Sequence, residues 1–300
     1  RLLQGAHALD TRLAADPLRT RDVAMALHAA LFAQARYDAM DPLFEAIVRH
    51  LPADPMAVYG AVLLHTRAFY LRGRNAESIA LALHVAGLLG LPAPAAPDRP
   101  AALQAELDGL RARMQAEGDA LFERLLPIDD APLEAAAALL IAAQLNPVND
   151  GHQTGAWCCL RLIRLGWERG SFLGLPEALT GAFTPLATLR GDYALGCRLG
   201  RIGLRLAPAM SDERSASRTL YRWANVVASF CDPLPARFDH YRRIEQLAEA
   251  VGDHGTLTEN LVWELSATFD TAPVLARMDA PLERALVLAR RLDDRMTLGS

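Results

Sequence analysis

No lysine occurs in this chain; all 31 of its basic residues are arginine. That absence excludes a lysine Schiff base and the Gly-x-x-x-x-Gly-Lys-Ser/Thr phosphate loop. Aromatic residues are scarce, at 6%, while apolar residues reach 52% with alanine and leucine abundant. Strands favour β-branched and aromatic side chains, so this balance points to an all-α fold. Four cysteines in 300 residues are too few for a disulfide framework, and Cys158 and Cys159 are adjacent, so they diverge by about 100° on a helix. A reduced, cytoplasmic chain is the expectation. The longest apolar run, residues 133–145, carries Glu134 and Gln144 and is too short to span a bilayer. No charged-then-apolar leader opens the sequence, and Arg1 already lies in an amphipathic pattern, as in a piece of a longer protein. A net charge of −4 gives no footprint for nucleic acid. Neither nucleic acid nor membrane is expected as a partner.

Catalytic and metal motifs are missing too. The eight histidines and four cysteines include no His-Glu-x-x-His and no Cys-x-x-Cys. The nearest approach to a dinucleotide glycine motif, residues 196–203, falls inside a helix rather than after a strand. Neither Asp253-His254-Gly255 nor Asp239-His240-Tyr241 has the histidine-then-acid order of a phosphoacceptor. No catalytic, cofactor or metal residue is therefore assigned. His28 and His65 occupy similar places in two helices and read as core or groove histidines, with a spatial pair left open.

What is present is helical periodicity. Residues 191–208, GDYALGCRLGRIGLRLAP, form a turn and a helix with three stripes. Leu195, Leu199, Ile202 and Leu206 make the apolar face, Gly196, Gly200 and Gly203 a second, and Arg198, Arg201 and Arg205 a third. Each glycine costs a helix interior roughly 0.8–1 kcal/mol against alanine, so the glycine face is expected to pack closely on the preceding helix, residues 176–190. The arginine stripe is read as facing solvent.

Two related units precede it. A helix over residues 23–34 turns at Ala35-Arg36-Tyr37 into a second that ends at Leu51-Pro52. A helix over 55–71 turns at Gly73-Arg74 into one that ends near Gly90 and Pro92. The turns lie 38 residues apart, near the period of about 34 of tetratricopeptide repeats. Prolines at 92, 94, 97 and 100 punctuate the chain; they read as a long inter-helix loop within a single array spanning 1–300, with a boundary between 1–91 and 101–300 as the alternative. Later helices are expected near 101–116, 132–145, 153–168, 176–190, 193–207, 212–230, 234–250, 255–268 and 281–292. The four tryptophans fall in helices and read as packing residues, while Tyr221, Arg222, Trp223 and Asn225, and Arg237 with His240 to Arg243, cluster as a possible partner face.

Residues 73–92, GRNAESIALALHVAGLLGLP, with 133–145, 155–170, the 189–207 segment and 281–293, PLERALVLARRLD, resemble in order successive helices of one region of multidomain bacterial signalling proteins. That region is similar to the tetratricopeptide-like right-handed superhelix of antiparallel helix pairs that follows a STAND-type, AAA-like ATPase module. A serine/threonine kinase-like domain often precedes it, and a GAF domain with a histidine kinase or diguanylate cyclase follows. Arg36 and Arg74 stand where that family usually has a turn aspartate, and residues 155–159 are atypical. The resemblance implies a non-enzymatic sensor or scaffold between an ATPase switch and an output domain, with catalysis outside this segment. The partners would be flanking domains of the same polypeptide, or a protein or peptide ligand in the concave groove. The first helix of each pair lines that groove, which by resemblance places Phe32, Arg67 and Tyr70 in it, a set suited to an acidic or C-terminal carboxylate. The alternatives are the ligand-sensing repeats of a STAND-type transcription regulator and an all-α enzyme with an unrecognised pocket.

Overall fold

The structure, a computed structural model, describes residues 17–49, 54–144, 153–210, 212–271 and 275–291. The opening at Arg1 and the stop at Leu51-Pro52 lie outside the described residues. Every regular element among those described is helical, beside one isolated bridge between Pro127 and Ser171. None of these helices is long and apolar enough to cross a membrane.

The helices are α1 (Pro17–Ala33), α2 (Asp41–Val48), α3 (Pro55–Leu71), α4 (Asn75–Leu88), α5 (Arg99–Glu117), α6 (Ala120–Glu123), α7 (Ala131–Gln144) and α8 (Gln153–Arg169). They continue as α9 (Leu175–Gly181), α10 (Phe183–Arg190), α11 (Tyr193–Met210), α12 (Glu213–Arg222), α13 (Ala228–Cys231), α14 (Leu234–Ala250), α15 (His254–Thr271) and α16 (Asp279–Arg291). Local chemistry sets the boundaries. Asp54 accepts the Ala57 N–H at 3.1 Å before Pro55 opens α3, and Asp130 accepts the Leu133 N–H at 3.0 Å before Pro132 in α7. α3 ends before Gly73, whose φ of 72° suits glycine; the equivalent position after α1 is Ala35, held at φ 54°. Left-handed backbone costs a non-glycine residue roughly 1–2 kcal/mol, so Ala35→Gly is expected to raise the urea midpoint by about 1 kcal/mol of stability. A lower midpoint would contradict this reading of the turn.

Consecutive helices pack as hairpins, α1 on α2, α3 on α4 and α7 on α8, then α9 on α11, α12 on α14 and α15 on α16. The first members also touch each other in two runs, α1 with α3 and α3 with α7, then α9 with α12 and α12 with α15, which make an inner layer in two parts, with α9 packed on α8. α5 breaks the sequential order by packing on α8. The proline-rich residues 92–100 lie between Leu91 and Leu103, which belong to the same buried cluster, one that runs from Ala24 to Ile202.

Three features differ from expectation. The helix expected over 176–190 divides at Ala182, and that over 212–230 is interrupted by a π turn at Trp223–Val227. Cys197 and Cys231 form a disulfide joining α11 to α13, which corrects the expectation of a wholly reduced chain; Cys158 and Cys159 are buried and take no part in it. The bridge follows from the packing of α11 on the π turn, which brings together residues 34 apart in sequence. The arginine stripe of α11 is also paired rather than simply solvated. Arg198 binds Asp119 at 2.6 Å, Arg205 binds Glu123 at 2.9 Å and Arg201 lies 3.9 Å from Asp232.

On the glycine face, a Cβ at Gly196 would meet the Phe183 ring at 2.8 Å, and one at Gly203 the Pro176 carbonyl oxygen at 2.6 Å. Both contacts are with the preceding helices, α10 and α9. Gly200 instead faces the following segment, where a Cβ would lie 3.0 Å from Trp223 and 3.1 Å from Val227.

Candidate functional cavity

Phe32 of α1 and Arg67 and Tyr70 of α3, for which the family resemblance implies a groove position, line a single cavity of ≈ 490 Å³. Its other walls come from α9, α12, the turn at 251–253 and the start of α15, so late helices meet early ones at this cavity. The Tyr70 hydroxyl donates to Glu259 Oε1 at 2.5 Å, a contact between residues 189 apart. A buried histidine pair sets α1 against α3 behind this wall. His28 Nε2 and His65 Nδ1 lie 3.1 Å apart, the Phe44 ring stacks on His65 at 3.8 Å, and Asp41 approaches His65 Nε2 at 3.5 Å. These histidines sit in the core rather than in the cavity.

Seven charged side chains converge on the cavity, Arg67, Arg214, Arg218 and Arg222 against Glu177, Asp253 and Glu259. Arg222 binds Glu177 at 3.2 Å and Arg218 binds Asp253 at 2.8 Å, both pairs largely buried. Arg214 donates to the Val251 carbonyl at 2.9 Å. Burial alone would raise the Asp253 carboxyl, but Arg218 beside it, with Arg67 and Arg214 near, holds it below the usual carboxylate range. The Tyr221 hydroxyl is pushed well above its ordinary value by burial and then by Glu259, and it accepts a hydrogen bond from Trp263 Nε1 at 3.2 Å.

Among the described residues neither Arg67 nor Arg214 forms an ion pair; Arg214 has the Val251 carbonyl, whereas the Arg67 Nε is buried without a hydrogen-bond partner. Burial, then the nearby Arg218 and Arg214 against Asp253 and Glu177, pushes Arg67 down to about 9, so it remains a cation at neutral pH. Arg67, Glu177, Arg214 and Arg218 also line a second cavity, of ≈ 360 Å³, on the α7 side. The charged wall is thus reached from two directions.

The residues clustered near 221 in sequence separate in space. Tyr221 and Arg222 face the cavity, whereas Trp223 and Asn225 are buried. Arg237 turns inward to the Tyr241 hydroxyl at 2.7 Å and the Ala224 carbonyl at 3.1 Å. Sequence reasoning missed Glu177, Arg214, Arg218, Asp253 and Glu259. Their only sequence signal is the i, i+4 spacing of Arg214, Arg218 and Arg222 along one face of α12.

No group of three or more His, Cys, Asp or Glu side chains converges as a metal site among the described residues. Comparison with protein-family models, curated proteins and solved structures finds no match to the chain.

Proposed function

We propose that this chain is a non-enzymatic sensor and scaffold module, a tetratricopeptide-like right-handed superhelix that couples an ATPase switch to an output domain of the same protein. The observation that carries this reading is that Phe32, Arg67 and Tyr70, on successive inner helices, share one cavity with an unpaired guanidinium. The hairpin pairs and their inner layer support the repeat architecture. In stacked repeats each unit contacts mainly its neighbours, so what occupies the cavity biases the curvature of the array, and the Tyr70–Glu259 contact couples its early and late pairs.

The test is capture of the flanking modules, expressed separately, by the wild-type chain and by an Arg67→Ala/Tyr70→Phe variant. Capture is expected to fall roughly tenfold in the variant, the effect of about 1.4 kcal/mol. Equal capture by a variant that melts like the wild type would contradict the reading.

A further inference from the structure

We propose that the cavity between α1, α3, α12 and α15 binds a small organic monocarboxylate with an apolar body, its carboxylate on the Arg67 guanidinium and its body against Phe32, Leu64 and Tyr70. This inference rests on the sensor reading above and names the input sensed.

Charge determines the sign of the ligand. Four arginines face three carboxylates, a single excess positive charge, and each carboxylate is already engaged, Glu177 by Arg222, Asp253 by Arg218 and Glu259 by Tyr70. Arg67 and Arg214 are the two arginines of the wall without a carboxylate partner among the described residues; Arg214 is held by the Val251 carbonyl, which leaves Arg67, whose Nε is buried and unsatisfied. A planar fork of N–H donors matches a carboxylate bidentately. One excess charge suits a monoanion better than phosphate.

Shape determines the size. A volume of ≈ 490 Å³ is that of a small-molecule site. The Tyr70–Glu259 hydrogen bond and the approach of α15 to Leu71 close the inner face where a polypeptide would have to pass. Ala29, Phe32 and Leu64 give the remaining wall an apolar surface. A peptide groove would be open along its length, and this cavity is not.

The probes are 4-phenylbutyrate and hexanoate, their neutral amides, and inorganic phosphate, read by thermal shift and calorimetry on the wild type, Arg67→Met and Arg67→Lys. Both carboxylates are expected to raise the melting temperature, and the amides and phosphate to leave it unchanged. Arg67→Met is expected to melt at or above the wild-type temperature without ligand, because it removes an unpaired charge, and to bind the carboxylates at least tenfold more weakly. Arg67→Lys keeps the charge without the fork and should fall between; it carries the test if Arg67→Met does not fold. Equal binding of amides and acids, equal binding by wild type and variants, or stabilisation by phosphate alone would overturn the site. No carboxylate binding with capture of flanking modules intact would also overturn it and leave the sensor reading standing. NMR of the recovered probe separates the two claims further: an unchanged probe supports both, and a converted one overturns the non-enzymatic reading while the site stands.

Discussion

Gly203→Ala is expected to destabilise the chain by about 2–3 kcal/mol, whereas Gly109→Ala, the same substitution in another helix, is expected to stabilise it by about 0.5–1 kcal/mol. Intrinsic propensity favours alanine equally at both positions, so the opposite sign isolates packing. Around Gly109, in α5, nothing lies within 4 Å of an added Cβ. At Gly203 the added atom would sit 2.6 Å from the Pro176 carbonyl oxygen, with Thr180 at 3.1 Å and Leu179 at 3.3 Å. The first of these is backbone, so relief requires α9 and α11 to separate, and α9 carries Glu177 into the cavity wall. Urea unfolding of both variants measures the difference. A stabilising Gly203→Ala would remove close packing as the reason for the glycine stripe.

Acid is the second large lever. Burial pushes the His28 imidazole down to about 4, with Asp41 opposing, and pushes His65 down to about 3, His28 adding to the effect. Both folded-state values lie below the unfolded value of 6.5, so the unfolded chain takes up these protons first as pH falls. The contribution is absent above that value, and stability is lost progressively towards pH 4. Each histidine contributes roughly 1.4 kcal/mol per pH unit in this window, on the order of 5 kcal/mol for the pair between pH 6 and pH 4. The double variant His28→Leu/His65→Leu keeps two apolar side chains in the α1–α3 core and removes both protonation sites. Its urea midpoint is expected to change little from pH 7.5 to pH 6 and to fall much less than that of the wild type towards pH 4. Parallel profiles would contradict the assignment of acid sensitivity to this pair.

What the sequence revealed and what it concealed divide along the range of the interactions. α3 is legible because its signals are local, Asp54 and Pro55 at one end and Gly73 at the other, and its observed span of Pro55–Leu71 matches the expected one. The α11 glycines likewise announce close packing, although nothing in their spacing says that Gly200 faces Trp223 rather than the preceding helix. Half of the cavity is named in advance by the family resemblance, which implies a groove position for Phe32, Arg67 and Tyr70, and all three line the cavity. The other half is not. Glu259 reaches Tyr70 across 189 residues through the tertiary packing of helices far apart in the chain, which no local pattern encodes. The disulfide, the π turn at Trp223–Val227 and the displacement of α5 onto α8 are hidden for the same reason. The arginine stripe of α11 reads as solvated from its own helix, since its partners Asp119 and Glu123 come from the segment after α5.

The central claim is that α1, α3, α12 and α15 line a cavity in which Arg67 has no ion pair among the described residues and its buried Nε no hydrogen bond. A crystal structure of the chain with 4-phenylbutyrate tests it most directly. The account predicts the carboxylate on the Arg67 guanidinium, the phenyl ring against Phe32, and Tyr70 still bonded to Glu259. Arg67 turned to pair with Glu177 or Asp253 in an empty cavity, or α15 parted from α3 to leave an open groove, would contradict it.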